Sequence, residues 1–236
     1  MEKLVVAKFG GSASGIDGEH VSDIINRIKE LKKDAKVITV FSAPLTIHDG
    51  KRKSLTDLAL LLGRKAEEGT IPDINEIRKP YEKILNFVSE PYRIECKKVI
   101  DSFLEKTQTA YNDAMQKRSF ADEIRSRALA FSGEILMSYM MNYIMKSNGI
   151  KSDVVSYDIW PIITDNNIES TNFLASESIN RIEPVEQLLK ENDVLSIGGF
   201  IGKTVDGTET TYERGGSDRT AADLGILFHK KYDTKI

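Results

Sequence analysis

Leu4-Val5-Val6-Ala7-Lys8-Phe9 is a short β-prone run that ends in Gly10-Gly11-Ser12. Apolar residues then recur at helical spacing from Val21 to Leu31, which predicts an amphipathic helix. The next segment, Lys36 to Ser42, is almost continuously apolar, as expected of a strand covered on both faces. Strand, helix and strand in this order predict a βαβ unit with a right-handed crossover.

The middle of the chain departs from this pattern and is predominantly helical. Residues 53–147 carry apolar stripes at helical spacing, with an interruption at Ser132-Gly133 and a helix-ending pair at Asn148-Gly149. Strand character returns at Asp153 to Tyr157 and at Val194 to Ile197. The prediction is an α/β fold with a helical insertion at about 53–147.

The last third of the chain contains shorter elements. A helix is expected from about residue 178 to 190, and Pro184 either kinks it or marks its start. Val205 to Thr208 reads as a hairpin turn, and a further helix is expected over 217–230. Tyr232 to Ile236 resembles the start of another strand, which favours a fragment of a longer protein; the alternative is a packed or disordered tail.

Composition excludes several classes of function. Of the 236 residues, 40% are hydrophobic and 29% charged, and the formal net charge of −3 provides no basis for binding nucleic acid or an anionic membrane. The single cysteine, Cys96, excludes an intrachain disulfide and a cysteine zinc site, and its helical surroundings predict a half-buried structural thiol. No metal site is predicted. The absence of a signal peptide or a membrane-spanning run makes a cytoplasmic protein the default.

Three glycine pairs lie in turns next to predicted elements. Gly10-Gly11 and Gly198-Gly199 follow strands, whereas Gly215-Gly216 precedes a helix. In an open α/β sheet, ligands bind outside the carboxyl ends of the strands, where glycines let backbone amides approach anionic oxygens. Three such turns on one edge would form an anion-binding crevice.

The most specific stretch of the sequence is Arg214-Gly215-Gly216-Ser217-Asp218. It combines a cation, a glycine turn, a predicted N-cap at Ser217 and a carboxylate, which suits an anion held beside an acid. Lys8 lies at a strand end and is expected to point its ammonium into the same crevice. The simpler alternatives are a surface lysine at Lys8 and, at Asp218, an acid that serves only the helix dipole.

Further polar residues follow the other strands and helix breaks. Glu134 comes directly after Gly133, and Ser42 and Thr46 follow the second strand. Asp57 most simply belongs to the start of the first helix of the insertion. The nucleotide-binding fingerprints Gly-x-x-x-x-Gly-Lys-Ser/Thr and Gly-x-Gly-x-x-Gly do not occur in the sequence.

In this order, the motifs resemble those of the amino acid kinase superfamily and, within it, the aspartate kinases. The matching blocks are Lys8-Phe9-Gly10-Gly11-Ser12, Phe41-Ser42-Ala43, Ser132-Gly133-Glu134, Ile163-Thr164-Asp165, Gly199-Phe200-Ile201-Gly202 and Arg214 to Ala222. The resemblance implies a three-layer αβα fold with a mainly parallel central sheet. It also implies ATP-dependent phosphorylation of the β-carboxylate of L-aspartate, the first step toward lysine, threonine and methionine.

The resemblance implies a role for each candidate residue. Lys8 and Asp218 are the expected catalytic pair, and the phosphates of ATP would lie against Lys8, Gly10, Gly11, Ser12 and Gly216. The expected aspartate-binding residues are Ser42, Thr46, Glu134, Phe200, Arg214 and Ser217, with Arg214 on the α-carboxylate and Glu134 on the α-ammonium. Mg²⁺ would bridge the phosphates of ATP, held mostly by the nucleotide and water. A homo-oligomer, most simply a dimer, is expected of the full-length protein.

The sequence also departs from the family pattern. Pro44 to Lys53 forms a longer polar loop than the family has, so either Thr46 or Thr56 could line the amino-acid pocket. The chain ends where the family continues into its adenine-binding segment and its regulatory ACT domains, so residues 1–236 are expected to be an incomplete catalytic domain. Two alternatives remain, namely a kinase for glutamate, acetylglutamate or a nucleoside monophosphate, and a non-catalytic amino-acid-binding module.

Overall fold

A five-stranded parallel sheet forms the centre of the molecule, whose computed structural model describes residues 1–213 and 215–236. In spatial order its strands are β10 (Asp233–Lys235), β1 (Lys3–Phe9), β2 (Lys36–Phe41), β7 (Val194–Gly198) and β5 (Ser152–Val154). Each neighbouring pair is parallel. The predicted mainly parallel α/β sheet is therefore confirmed, and the predicted strand at the end of the chain is β10.

The first βαβ unit has the predicted order. Helix α2 (Val21–Leu31) connects β1 to β2, and the two strands pair in parallel with Val5 opposite Val37. The apolar stripe of α2 is buried, as are Val37, Ile38, Val40 and Phe41 of β2. Because β2 is central and covered on both faces, its sequence is continuously apolar and does not alternate.

The insertion begins with a β-hairpin, where a polar loop was predicted. Strands β3 (Leu45–His48) and β4 (Lys51–Ser54) pair antiparallel around a two-residue turn. Asp49 and Gly50 form this turn with positive φ values of 49° and 70°. A two-residue hairpin turn with φ > 0 at both positions favours the Asp-Gly pair, so the turn chemistry was present in the sequence.

Five helices follow the hairpin and bring the chain back to the sheet. They are α3 (Leu55–Glu67), α4 (Asn75–Ile84), α5 (Tyr92–Lys117), α6 (Asp122–Ser132) and α7 (Glu134–Ser147). The predicted interruption at Ser132-Gly133 separates α6 from α7. Helix α7 packs against β2, β5 and β7, so the last helix of the predicted insertion covers the central sheet.

The remaining elements lie outside the five-stranded sheet, and their three strands pair in a separate sheet. They are α1 (Gly11–Ser14), β6 (Ile163–Thr164), α8 (Ala175–Ile179), α9 (Glu183–Glu191), β8 (Ile201–Thr204), β9 (Glu209–Thr211) and α10 (Gly216–Phe228). The helix predicted over about 178–190 is two helices, because Pro184 lies in the first turn of α9 and marks its start. The predicted hairpin turn connects β8 to β9.

Cys96 is fully buried in α5, where a half-buried thiol was predicted. Its Sγ lies 3.3 Å from Sδ of Met140 on α7, so it packs in the interface between the two helices. Burial raises the pKa of the thiol to about 12, which keeps it protonated and unreactive. Among the described residues, no helix combines the length and the apolar character needed to span a membrane.

Candidate active site

A cavity of about 1070 Å³ lies at the carboxyl ends of β1, β2 and β7. It brings together ten of the predicted site residues, Lys8, Gly10, Gly11, Ser12, Ser42, Glu134, Phe200, Gly216, Ser217 and Asp218. Thr46 does not line it, and Arg214 lies outside the described residues. Residues from both ends of the sequence thus meet in one cleft, where the strand topology predicts ligand binding.

Lys8 and Asp218 form an ion pair on one side of the cavity. Nζ of Lys8, near the end of β1, lies 3.1 Å from Oδ1 of Asp218 in the first turn of α10. A Cβ on Gly10 would lie 3.3 Å from the same Nζ, so the ammonium is positioned over the glycine turn. The Asp218 side chain is 70% exposed and that of Lys8 28% exposed, so the pair faces the open cavity.

Two glycines on this edge are required by close backbone approach. A Cβ on Gly11 would lie 2.7 Å from the carbonyl oxygen of Ala43, which follows β2. A Cβ on Gly198 would lie 2.8 Å from the backbone carbon of Glu134 and the backbone nitrogen of Ile135. Only glycine lets these segments approach so closely, and the contact at Gly198 positions the start of α7 over the end of β7.

The start of α10 differs from the prediction that Ser217 is its N-cap. The N-cap is Gly215, with φ of 82°, and Ser217 lies one residue inside the helix. The Ser217 hydroxyl instead accepts a hydrogen bond of 2.9 Å from the Ser42 hydroxyl. Glycine tolerates the left-handed conformation that precedes the helix, which leaves the Ser217 side chain free to connect α10 to the end of β2.

Phe200 follows the second glycine pair in a left-handed backbone conformation, with φ of 68°. Its N–H donates to Oγ1 of Thr220 on α10 at 3.1 Å, and its carbonyl accepts from the N–H of Tyr212 at 2.9 Å. A bulky residue adopts this conformation only where its surroundings enforce it, and such positions cluster at ligand sites. The turn thereby presents the Phe200 ring to the cavity.

Glu134 is the buried acid of the cavity, with only 4% of the residue exposed. Oγ1 of Thr56 donates to its Oε1 at 3.0 Å. Burial raises the pKa of Glu134 to about 7; hydrogen bonds from Thr56 and from the Ala43 backbone oppose the rise, and the Asp57 carboxylate adds to it. A carboxyl that is half-ionised near neutrality in a buried position is suited to an incoming cation.

Thr56, and not Thr46, reaches this cavity. Thr46 lies on β3 and lines a separate cavity of about 660 Å³ with Asp17, His48 and Glu76. The hairpin explains the difference, because β3 runs away from the end of β2 and β4 returns the chain to Ser54. Ser54 is the N-cap of α3 and accepts from the N–H of Asp57 at 3.0 Å, which places Thr56 in the first helical turn beside Glu134.

Arg125 and Glu169 also line the cavity, although no sequence motif predicted either residue. NH1 of Arg125 on α6 pairs with Oε2 of Glu169, and Oε1 of Glu169 accepts from the N–H of Asp122 at 2.8 Å. In the sequence, the loop that carries Glu169 is marked only by the Ile163-Thr164-Asp165 block that precedes it. Oδ1 of Asp165 accepts from the hydroxyl of Thr171 at 3.0 Å and from the N–H of Asn172 at 3.0 Å, which shapes the loop that carries Glu169.

The arrangement can hold two opposite charges at once. The Lys8 ammonium and the glycine turn favour an anion on one side, and the buried Glu134 favours a cation on the other. Within residues 1–213 and 215–236, no group of three or more His, Cys, Asp or Glu side chains could hold a metal ion.

The amino acid kinase family model matches residues 3–232 of this chain. The chain therefore belongs to the amino acid kinase family, and its mainly parallel α/β sheet is of that class.

Two aspartokinases are similar to this chain in sequence. Aspartokinase 1 of Bacillus subtilis (strain 168) is 27% identical over 150 residues, covering 61% of this chain and 36% of that protein. The chloroplastic bifunctional aspartokinase/homoserine dehydrogenase 2 of Arabidopsis thaliana is 22% identical over 244 residues, covering 99% of this chain and 25% of that protein. The chain is thus similar to aspartokinases but spans well under half the length of either relative.

Solved structures of aspartokinases share the fold. E. coli aspartokinase III, in a complex with aspartate and ADP, superimposes with a TM-score of 0.77 at 22% identity, covering 96% of this chain and 47% of that one. The aspartate kinase of Clostridium acetobutylicum gives a TM-score of 0.66 at 22% identity, covering 96% of this chain and 45% of that one.

Proposed function

We propose that this chain carries the phosphoryl-transfer site of an aspartate kinase, which uses ATP to convert L-aspartate to 4-phospho-L-aspartate. The observation that carries the proposal is the meeting, in one cavity, of the Lys8–Asp218 ion pair, the glycine turn and the buried Glu134. The similarity to aspartokinases supports the choice of acceptor.

The reaction needs positioning and charge stabilisation more than it needs a base. A β-carboxylate oxygen of aspartate attacks the γ-phosphorus of ATP, an O–P bond forms, and the bond to the β,γ-bridging oxygen breaks to release ADP. Aspartate is already ionised at neutral pH, so the barrier lies in bringing two anions together. Lys8 neutralises charge on the transferring phosphoryl group, and Asp218 orients the Lys8 ammonium.

The glycine turns supply the phosphate side of the site. Backbone amides at Gly10, Gly11, Ser12 and Gly216 border the phosphates, close to the Lys8 ammonium. Mg²⁺ bound by the phosphates would reduce the charge repulsion between nucleotide and acceptor, with ligands mainly from the nucleotide and water.

The amino-acid side of the site is formed around Glu134. Its carboxylate receives the α-ammonium, and Thr56 takes the place first considered for Thr46 because it hydrogen-bonds Glu134. The Ser42–Ser217 hydroxyl pair and Phe200 border the substrate. Arg214 keeps its proposed role on the α-carboxylate, where a bidentate guanidinium suits the charge. A cytoplasmic dimer active in lysine, threonine and methionine biosynthesis belongs to the same proposal.

An acceptor-specificity assay tests the function. The protein, as its gene encodes it, is incubated with MgATP and aspartate, glutamate or N-acetylglutamate, and the acyl phosphate is trapped as its hydroxamate. We expect aspartate hydroxamate to form and the other acceptors to react far more slowly. Preference for another acceptor would identify a different amino acid kinase, and aspartate binding without product would identify a binding module.

A further inference from the structure

The break between α6 and α7 is held by a tyrosine from outside the cavity. Tyr81 on α4 is fully buried, and its hydroxyl lies 2.9 Å from the carbonyl oxygen of Ser132 and 2.9 Å from that of Gly133. These two carbonyls directly precede Glu134. The hydroxyl shares its single proton between them, and the Gly133 carbonyl also accepts from the N–H of Met137 at 3.0 Å.

The Tyr81 hydroxyl is close enough to Glu134 for the two groups to interact electrostatically. Burial raises the pKa of Tyr81 well above its usual value, and the charge of Glu134 raises it further. The start of α7 also lies close to Gly198 at the end of β7. The backbone next to and at Glu134 therefore has two neighbours, β7 and the Tyr81 hydroxyl, that limit its movement.

We propose that Tyr81 is a positioning residue for Glu134, setting the carboxylate where it receives the α-ammonium of the acceptor. The inference rests on the proposed function, because it deepens the role given to Glu134 there. Tyr81 does not line the cavity, so it acts through the backbone at the break and makes no contact with substrate. Loss of its hydroxyl removes the hydrogen bond that the carbonyls of Ser132 and Gly133 share, and the break relaxes to recover it, although Gly133 keeps the N–H of Met137.

The test compares Tyr81→Phe with a matched control, Tyr111→Phe. Tyr111 on α5 is also fully buried in the insertion, and its hydroxyl donates to the carbonyl oxygen of Ala59 at 3.1 Å. Both variants keep the aromatic ring and remove one buried hydroxyl that donates to backbone carbonyl oxygen. Only Tyr81 borders the segment that carries Glu134, so a general loss of stability would affect both variants alike.

For Tyr81→Phe we expect the KM for aspartate to rise roughly tenfold, since a displaced charged contact costs about that factor in binding. The KM for ATP and the kcat should stay within about twofold of wild type, because the phosphate side is untouched. Tyr111→Phe should leave all three near wild type. Equal KM values for aspartate in the two variants would overturn the inference.

A second measurement does not depend on activity. The pKa of Glu134 is followed by ¹³C NMR of the carboxyl in the wild type and both variants. The charged group that acts on Glu134 is Asp57 from α3, which both variants leave unchanged. Tyr81→Phe should raise the Glu134 pKa, because two carbonyl oxygens that lose the hydroxyl proton add negative potential; no change would reject the inference. An inactive wild type with the expected NMR shift would reject the proposed function alone.

Discussion

Asp218 and Lys8 show at the level of single residues why neither could be interpreted alone. Each has a common structural role by itself, as a helix-terminal acid and as a surface lysine. In the structure they form an ion pair of 3.1 Å that lines the cavity. An exposed pair contributes little to stability, so the two structural roles do not explain why these residues are paired here. The pairing of Lys8 with Asp218 beside the Gly10 turn therefore favours a role in the reaction.

Asp218→Ala should lower kcat by about 100-fold or more, since the Lys8 ammonium loses the group that orients it toward the phosphoryl group. The thermal midpoint should hardly change, because the Asp218 side chain is 70% exposed. Asp34→Ala, which removes an exposed acid outside the cavity, is the matched control and should retain full activity. Near-wild-type turnover in Asp218→Ala would contradict the assignment.

Glu134 should make aspartate binding depend on pH. Its pKa is raised to about 7 by burial, and only the ionised carboxylate attracts the α-ammonium. The KM for aspartate should therefore fall as the pH rises through neutrality, and substrate binding should release a proton. Initial rates measured on either side of pH 7 test this, and Glu134→Gln should bind weakly with no such dependence on pH.

The same carboxyl should affect stability with the opposite pH trend. The folded pKa of about 7 lies above the ordinary value of 4.5, so the folded state holds the extra proton between these two pH values. The contribution of Glu134 is present below pH 4.5 and is lost as the pH rises through 7. Chemical denaturation of wild type and Glu134→Gln over this range should show a smaller loss with rising pH in the variant.

At the level of elements, the start of α7 is the junction on which the site depends. The β7 strand ends at Gly198 directly against the backbone of Glu134 and Ile135, and the Tyr81 hydroxyl donates to the carbonyl of Gly133 just before them. The hairpin of β3 and β4 performs a similar task for α3, since it returns the chain so that Thr56 meets Glu134. Two helix starts are thus positioned by contacts that no local pattern contains.

Gly198→Ala should therefore damage both stability and substrate binding. The new Cβ would lie 2.8 Å from backbone atoms that cannot move aside cheaply, so we expect a loss of about 1–3 kcal/mol in the free energy of unfolding. The KM for aspartate should rise as Glu134 is displaced. Denaturant titration and initial rates measure the two effects.

Gly225→Ala provides the control for that substitution. This glycine lies in α10, and its added Cβ would meet mainly the flexible end of the Ile236 side chain, at 2.4 Å. The side chain can turn away, and alanine favours the helix by up to about 1 kcal/mol. We expect stability within that margin and an unchanged KM for aspartate. An equal loss in both variants would show that the close approach at Gly198 is not specific to the site.

On the scale of the whole molecule, the strand order brings the ends of the sequence together. β1 and β2 lie at the centre of the sheet with β7 beside them, and β10 from the end of the chain pairs with β1. α10 packs on β1 and β2, so the Asp218 end of the helix returns to the Lys8 turn. A ligand bound in this cavity should therefore raise the free energy of unfolding, because it contacts elements from both ends of the sequence.

Aspartate should raise the free energy of unfolding by about 2.7 kcal/mol at 100 times its dissociation constant, as expected for a ligand that binds only the folded state. Thermal melts with and without ligand measure the shift. Succinate, which lacks the ammonium group, should give a smaller shift than aspartate because it leaves Glu134 without a partner. The same stabilisation by succinate would remove Glu134 from the binding site.

The local patterns were sufficient for much of the fold. The continuous apolar run of β2, the helical stripe of α2, the break before Glu134 and the turn between β8 and β9 all lie where periodicity and turn chemistry predicted them. The Asp49-Gly50 turn shows that the hairpin signal was also present, although a loop was predicted there. The sequence allows Pro184 either to kink a helix or to begin one, and the structure shows that it lies in the first turn of α9.

By itself, the sequence determined the class of fold and indicated ten of the residues that line the cavity, because periodicity, glycine turns and charged side chains at strand ends are local properties of the chain. Only the tertiary structure decided that Thr56 reaches the cavity and Thr46 does not, that Arg125 and Glu169 line its wall, and that Ser217 bonds to Ser42 and does not cap α10. The physical reason is that these outcomes depend on which helix ends and turns approach each other. Such approaches are set by packing between segments far apart in the chain, at close contacts such as those of Gly11 and Gly198.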